Sequence, residues 1–174
     1  APNLVGGDTN ASSDVFVRDR ITKQTRRISV GSAGVQANGA SYNPVISADG
    51  RYVAFVSEAT NLVTGDSNGA TDVFVRDLIA GVTTRVSVDS ASPAVQANRD
   101  SYEPAINADG SKIAFTSEAS NLVVSDSNGV ADVFVRDRTA NTTSRISIAT
   151  GVSGVQSNNI SGQAYLSGSG NIVA

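Results

Sequence analysis

A six-residue phrase, Asp14-Val15-Phe16-Val17-Arg18-Asp19, returns unchanged at Asp72–Asp77 and again at Asp132–Asp137. Upstream, Asn3-Leu4-Val5 returns at Asn61–Val63 and Asn121–Val123. Downstream, Val35-Gln36-Ala37-Asn38 returns at Val95–Asn98 and, with Ser157 for alanine, at Val155–Asn158. The copies stand 58 and then 60 residues apart, the extra two lying near Ser92-Pro93. Such a chain is one unit of about sixty residues written three times, as repeats 1–58, 59–118 and 119–174. A unit of this size buries its apolar face only by stacking on its neighbours.

Each unit reads as four short strands. Tyr42–Ser47 is the first, and Asp49-Gly50 supplies a hairpin turn because glycine tolerates positive φ. Tyr52–Ser57 is the second, followed by a long polar loop from Asn61 to Thr71. Val73–Arg76 and Thr84–Val88 are the third and fourth. β-Branched residues dominate, and no stretch keeps a 3.6-residue period, so almost no helix is expected. Val53-Ala54-Phe55 and Val73-Phe74-Val75 are apolar without alternation. Strands of that kind are covered on both faces. A β-propeller provides this cover, since each blade lies between two others.

The hairpins carry a resemblance. Ser47-Ala48-Asp49-Gly50-Arg51-Tyr52-Val53-Ala54-Phe55 and Asn107–Phe115 resemble the S-x-D-G-x-x-I-A-F signature of TolB-like, WD40-like propeller repeats. Asp72–Asp77 resembles that family's D-I-Y-V-x-D strand. The likeness weakens in the third unit, where Ser169-Gly170 replaces Asp-Gly and Gly162 stands for Tyr42 and Tyr102. It implies an all-β propeller of four-stranded antiparallel blades, six of them on assembly, and an interaction surface rather than a reaction.

In repeat phase the chain begins just after a second strand and ends inside one. It holds intact blades at about 42–88 and 102–148, with a half blade at each end that would complement the other. Propellers have four to eight blades. Self-association into six blades, or membership of a longer propeller, is therefore expected. A start at Ala1 without Met reads as a processed mature form or a fragment. Together with the absence of cysteine, it is compatible with a secreted, cell-surface or periplasmic location.

The net charge of −3 argues against a nucleic-acid partner. No apolar run is long enough for a membrane span. The 174 residues contain no Cys, His, Trp or Met. Thiol nucleophiles, the usual zinc sites and histidine acid–base chemistry are thereby excluded, and the sequence reads as non-enzymatic.

The loop before each third strand repeats the pattern D-x-N-x-x-x-D: Asp8, Asn10, Asp14; Asp66, Asn68, Asp72; Asp126, Asn128, Asp132. Calcium takes six to eight oxygens, and carboxylates with an amide at this spacing offer several. The same residues also suit turn caps, since Asp and Asn bond local N–H groups and Asn-Gly is a turn dipeptide. Calcium-stabilised loops and plain capped turns are the two readings. A second set, Gln36, Asn38, Gln96, Asn98, Gln156 and Asn158, lies in the links between blades. These amides suit a ligand such as a sugar, with Tyr42 and Tyr102 beside them, or else satisfy backbone groups. Arg18-Asp19, Arg76-Asp77 and Arg136-Asp137 read as turn openers with edge-pairing arginines. Three functions follow: an interaction or scaffold module, a lectin-like propeller, or the propeller of a larger enzyme of the prolyl-oligopeptidase kind.

Overall fold

The computed structural model describes residues 3–150 and 155–174. It has ten strands: β1 Phe16–Arg18, β2 Thr25–Arg27, β3 Ser41–Ile46, β4 Tyr52–Ser57, β5 Asp72–Asp77, β6 Val82–Arg85, β7 Ser101–Ile106, β8 Lys112–Ser117, β9 Asp132–Asp137 and β10 Thr142–Arg145. No helix is present among the described residues, so none is long and apolar enough to cross a membrane. Two four-stranded antiparallel sheets, β3-β4-β5-β6 and β7-β8-β9-β10, form blades one and two. Strand pair β1-β2 precedes them. A short hairpin follows them, reduced to a bridge between Leu166 and Val173. These end pieces do not pair with each other among the described residues.

Doubly covered middle strands appear where the sequence places them. Val53, Ala54, Phe55 and Val56 are all buried, as are Val73, Phe74 and Val75. Alternate side chains feed different interblade cores. Val53, Phe55 and Phe74 meet Val15, Ile28 and Leu62 on one side. Ala54, Val73, Val75 and Val86 meet Ile113, Phe115 and Phe134 on the other. Ala114, Val133 and Val135 then meet Ala164, with Leu166 and Val173 packed on them. The order is half blade, blade, blade, half blade, with each full blade sandwiched by its neighbours.

Strand four differs from the sequence expectation of Thr84–Val88. It runs Val82–Arg85, because Ser87 turns its hydroxyl to Asp72 and Val88 leaves to bridge Gln96. Strand one carries a bulge between Tyr42 and Val45, repeated between Tyr102 and Ala105. The first strands of adjacent blades approach one another, and the fourth strands stand further apart. The wedge therefore narrows toward the first strands, which mark the axis.

The hairpin glycines permit a local test. Gly50 and Gly110 both have positive φ, 72° and 70°. A methyl on Gly50 meets open space, whereas one on Gly110 overlaps the Tyr52 ring of the preceding blade. Gly50→Ala is expected to cost about 1–2 kcal/mol, the left-handed penalty. Gly110→Ala is expected to cost at least about 1 kcal/mol more through overpacking. Denaturant unfolding of the two variants reads that difference.

Candidate functional site

Each D-x-N-x-x-x-D loop closes around an arginine from strand four. Arg27 Nη2 lies 3.5 Å from Asp8 Oδ1, and its Nε 3.3 Å from Asp14 Oδ2. Arg85 Nη2 lies 2.9 Å from Asp66 and Nε 3.5 Å from Asp72. Arg145 Nη1 lies 3.1 Å from Asp126 and 3.8 Å from Asp132. All nine of these charged side chains are at most 9% exposed. Several guanidinium nitrogens, Arg85 Nε among them, hold ion-pair distance without a well-angled hydrogen bond. The attraction there is Coulombic more than directional.

The remaining donors are also committed. The second carboxylate accepts a serine hydroxyl from beyond strand four: Ser29 to Asp14 (2.5 Å), Ser87 to Asp72 (2.6 Å) and Ser147 to Asp132 (2.5 Å). Asn10, Asn68 and Asn128 give their amide N–H groups to that carboxylate and to the next link. Their carbonyl oxygens accept the N–H groups of Ser12, Ala70 and Val130, closing the local turn. The nine residues named for calcium thus come together in threes, each around a cation that the sequence reading did not single out. Among the described residues no group of three or more Asp, Glu, His or Cys side chains is arranged to hold a metal ion.

Two carboxylates share one guanidinium in each clasp. Burial pushes Asp66, Asp72 and Asp126 above the ordinary carboxylate range, against the pull of the arginine. Asp77 goes the other way. Arg51 grips it bidentately at 2.7–3.2 Å, and the Ile79 and Ala80 amides cap it, so its pKa is far below normal. Asp137 is likewise depressed, by the Ala140 amide and by Lys112. A raised folded pKa contributes stability below the unfolded value, which is lost as pH rises through the folded one. A depressed pKa contributes stability above the unfolded value, which is lost as pH falls through the folded one. The melting temperature is therefore expected to peak in weak acid, falling toward neutrality through the clasps and toward strong acid through Asp77 and Asp137. Asp66→Asn flattens the neutral limb and Asp77→Asn the acid limb of a pH–melting profile.

The link amides bind the blades to one another. Gln36 Nε2 donates to Asp8 (2.9 Å) and Asp14 (3.1 Å). Gln96 bonds Arg85 and Ser67, and Gln156 accepts the Ser127 and Asn128 amides. The Asn38 amide donates to Asn61 Oδ1, while Asn61 donates to the Gln36 carbonyl. Asn98 and Asn121 repeat the exchange. Asn158 is exposed and makes no side-chain hydrogen bond among the described residues. Asp19, Asp77 and Asp137 each accept two amides of the turn into strand four, the turn-opening role read from the sequence.

A feature not anticipated from the sequence lies at the axis. Asn43, Glu103 and Gln163 occupy equivalent positions in the three units, and all are left-handed, with φ of 50°, 53° and 55°. With Pro44, Pro104 and Tyr165 they line a cavity of about 390 Å³. Glu103 Oε2 accepts the Gln163 amide (2.8 Å) and the Thr116 hydroxyl (3.1 Å). Tyr165 is 72% exposed. Non-glycine residues held at positive φ cost about 1–3 kcal/mol each and cluster at functional sites. The sequence gives no signal for them: Asn43 and Glu103 precede proline, where a residue is biased toward extended backbone, and Gln163 precedes Ala164 without a turn dipeptide.

Stacked four-stranded blades narrowing toward their first strands define a β-propeller segment. TolB from Acinetobacter baumannii has a similar fold, at a TM-score of 0.52 and 21% identity over 92% of this chain and 31% of that one. A putative TolB from Agrobacterium tumefaciens is similar at 0.50 and 19%, over 91% of this chain and 47% of that one. The likeness shows a TolB-type propeller fold, and this chain spans less than half of those structures' lengths, 31% and 47%. No family model and no curated protein matches the sequence.

Proposed function

We propose that the chain is a non-catalytic interaction module of a secreted or periplasmic propeller, and that its partner engages the axial mouth. The observation that carries this reading is the ring of left-handed Asn43, Glu103 and Gln163 around one cavity. Three different side chains share one strained backbone there, so the position is kept while its chemistry varies. The arginine clasps take the stabilising role that calcium would otherwise have in the loops. Five of the six link amides that a glycan would need, all but Asn158, are spent on loops of the adjoining blades, which favours a protein partner. The free blade faces are covered by a second copy or by further blades of a longer chain. Light scattering that gives a stable single-chain mass for these 174 residues would remove the second-copy arrangement.

A photo-crosslinking side chain at Gln163 tests the axial reading against one at Ile79, 78% exposed on an outer turn. The axial probe is expected to capture a partner, and unlabelled wild-type chain is expected to compete it away. Equal capture from both positions would contradict an axial interface.

A further inference from the structure

The interface between blades one and two departs from the repeat. At the preceding interface Arg76 Nη1 bonds the Gly31 carbonyl of the link at 3.1 Å. Thr83 anchors the same link through Val30 O and Ser32 Oγ. In the next unit Thr143 makes the same two anchors, to Val88 O and Ser90 Oγ. Among the described residues Arg136, the equivalent of Arg76, does not bond the link there, and its guanidinium bonds only Thr143 Oγ1 and Asn141 Oδ1. Three sequence changes accompany this: the two extra residues near Ser92-Pro93, Asn141 in place of Gly81, and Arg138 in place of Leu78.

The result is a cavity of about 590 Å³. Val75, Val86 and Val88 line it from blade one and its link, Arg136 and Arg138 from blade two. Arg136 is 4% exposed. Arg138 rests on the Tyr52 ring, 4.4 Å from its centre, and donates to Gly110 O. Among the described residues neither arginine has a carboxylate within ion-pair distance. The nearby acids are engaged elsewhere: Asp89 caps Ala91 and Ser92, Asp137 holds Lys112, and Asp66 and Asp72 hold Arg85. Burial lowers the pKa of Arg136, as expected for a guanidinium short of counter-charge. Buried charges are ordinarily paired, and a guanidinium pairs best with an oxyanion. A volume in the range of small-molecule sites, with valines on one wall and threonine, amide and guanidinium groups on the rest, fits a compact organic ligand with a polar head.

We propose that this interblade cavity binds a small organic anion, with a carboxylate or phosphate head held by Arg136 and Arg138 and a short apolar body against the valines. The site is separate from the axial mouth and does not depend on the axial reading. Calorimetric titration of the whole 174-residue chain tests it, with hexanoate, hexyl phosphate, hexanol and inorganic phosphate as probes. The two amphiphilic anions are expected to bind more tightly than hexanol or inorganic phosphate, and their ranking distinguishes a carboxylate from a phosphate ligand. Arg136→Gln and Arg138→Gln are each expected to weaken anion binding by about tenfold or more, the worth of a charge-assisted hydrogen bond. Arg18→Gln, on the exposed leading half blade, should bind as wild type does. If Arg136→Gln fails to fold, the half-buried Arg138→Gln carries the test. Hexanol binding as tightly as the anions, no binding by any probe, or anion binding unchanged in Arg138→Gln would each overturn the proposal.

Discussion

Replacing Arg85 by alanine is expected to remove about 3–5 kcal/mol of stability, the usual cost of stripping one partner from a buried pair. The residue looks modest in sequence, a single arginine near the end of an edge strand. Among the described residues it is the only positive charge paired with Asp66 and Asp72, whose side chains are 3% and 1% exposed. Without it, two buried carboxylates face each other uncompensated, and burial already raises both pKa values. The loss should therefore shrink in acid, where one carboxylate takes a proton. Arg85→Lys should recover only part of the loss, because an ammonium does not span both acids as a guanidinium does. The wild-type melting temperature should be indifferent to calcium and to chelator. Calcium that stabilises Arg85→Ala but not wild type would show that the guanidinium and the ion compete for one place.

Phe115→Ala is the second large effect, at about 3–5 kcal/mol for a fully buried aromatic. Phe115 has no exposed surface and stacks on Phe134 with ring centres 5.8 Å apart. It belongs to the core shared by blades one and two. A stack of repeats gains stability largely from such nearest-neighbour interfaces. The cavity should therefore loosen both blades together, and hydrogen exchange should accelerate in β4 and β5 as well as in β8 and β9. Val15→Ala, in the core between the leading half blade and blade one, should instead loosen β1, β2 and β4 and spare β8 and β9.

How much of this was legible in the sequence depends on whether a residue's role is local. The Asp-Gly hairpins were, because the turn needs positive φ and only glycine supplies it freely; Gly50, Gly110 and Gly170 all have it. Even Ser169-Gly170, where the signature weakens, keeps the turn, although pairing there shrinks to one bridge. The unbroken apolar runs at 53–55 and 73–75 gave two-sided burial directly. The end of strand four was set too late, since Val86-Ser87-Val88 has strand composition but Ser87 is claimed by Asp72. The clasps were half legible: the acids and amides repeat visibly, yet their arginine partner lies 13 to 19 residues downstream and carries no local mark of that role. The axial residues were invisible: a residue before proline, as Asn43 and Glu103 are, is the last place to expect a left-handed backbone, and nothing local marks Gln163 before Ala164. Arg136 and Arg138 gained meaning only by comparison with Arg76 and Leu78 in three dimensions.

The functional reading stands on whether the axial residues serve a partner rather than the fold. Asn43 and Gln163 make no side-chain hydrogen bonds among the described residues, yet both hold left-handed backbone. Glycine accepts that backbone without strain. Denaturant unfolding of the double variant Asn43→Gly, Gln163→Gly is the direct measurement. The account predicts a chain at least as stable as wild type, with capture of the axial partner lost. A double variant less stable than wild type by more than about 1 kcal/mol would contradict it, because that exceeds the entropic cost of two exposed glycines whose strain has been relieved.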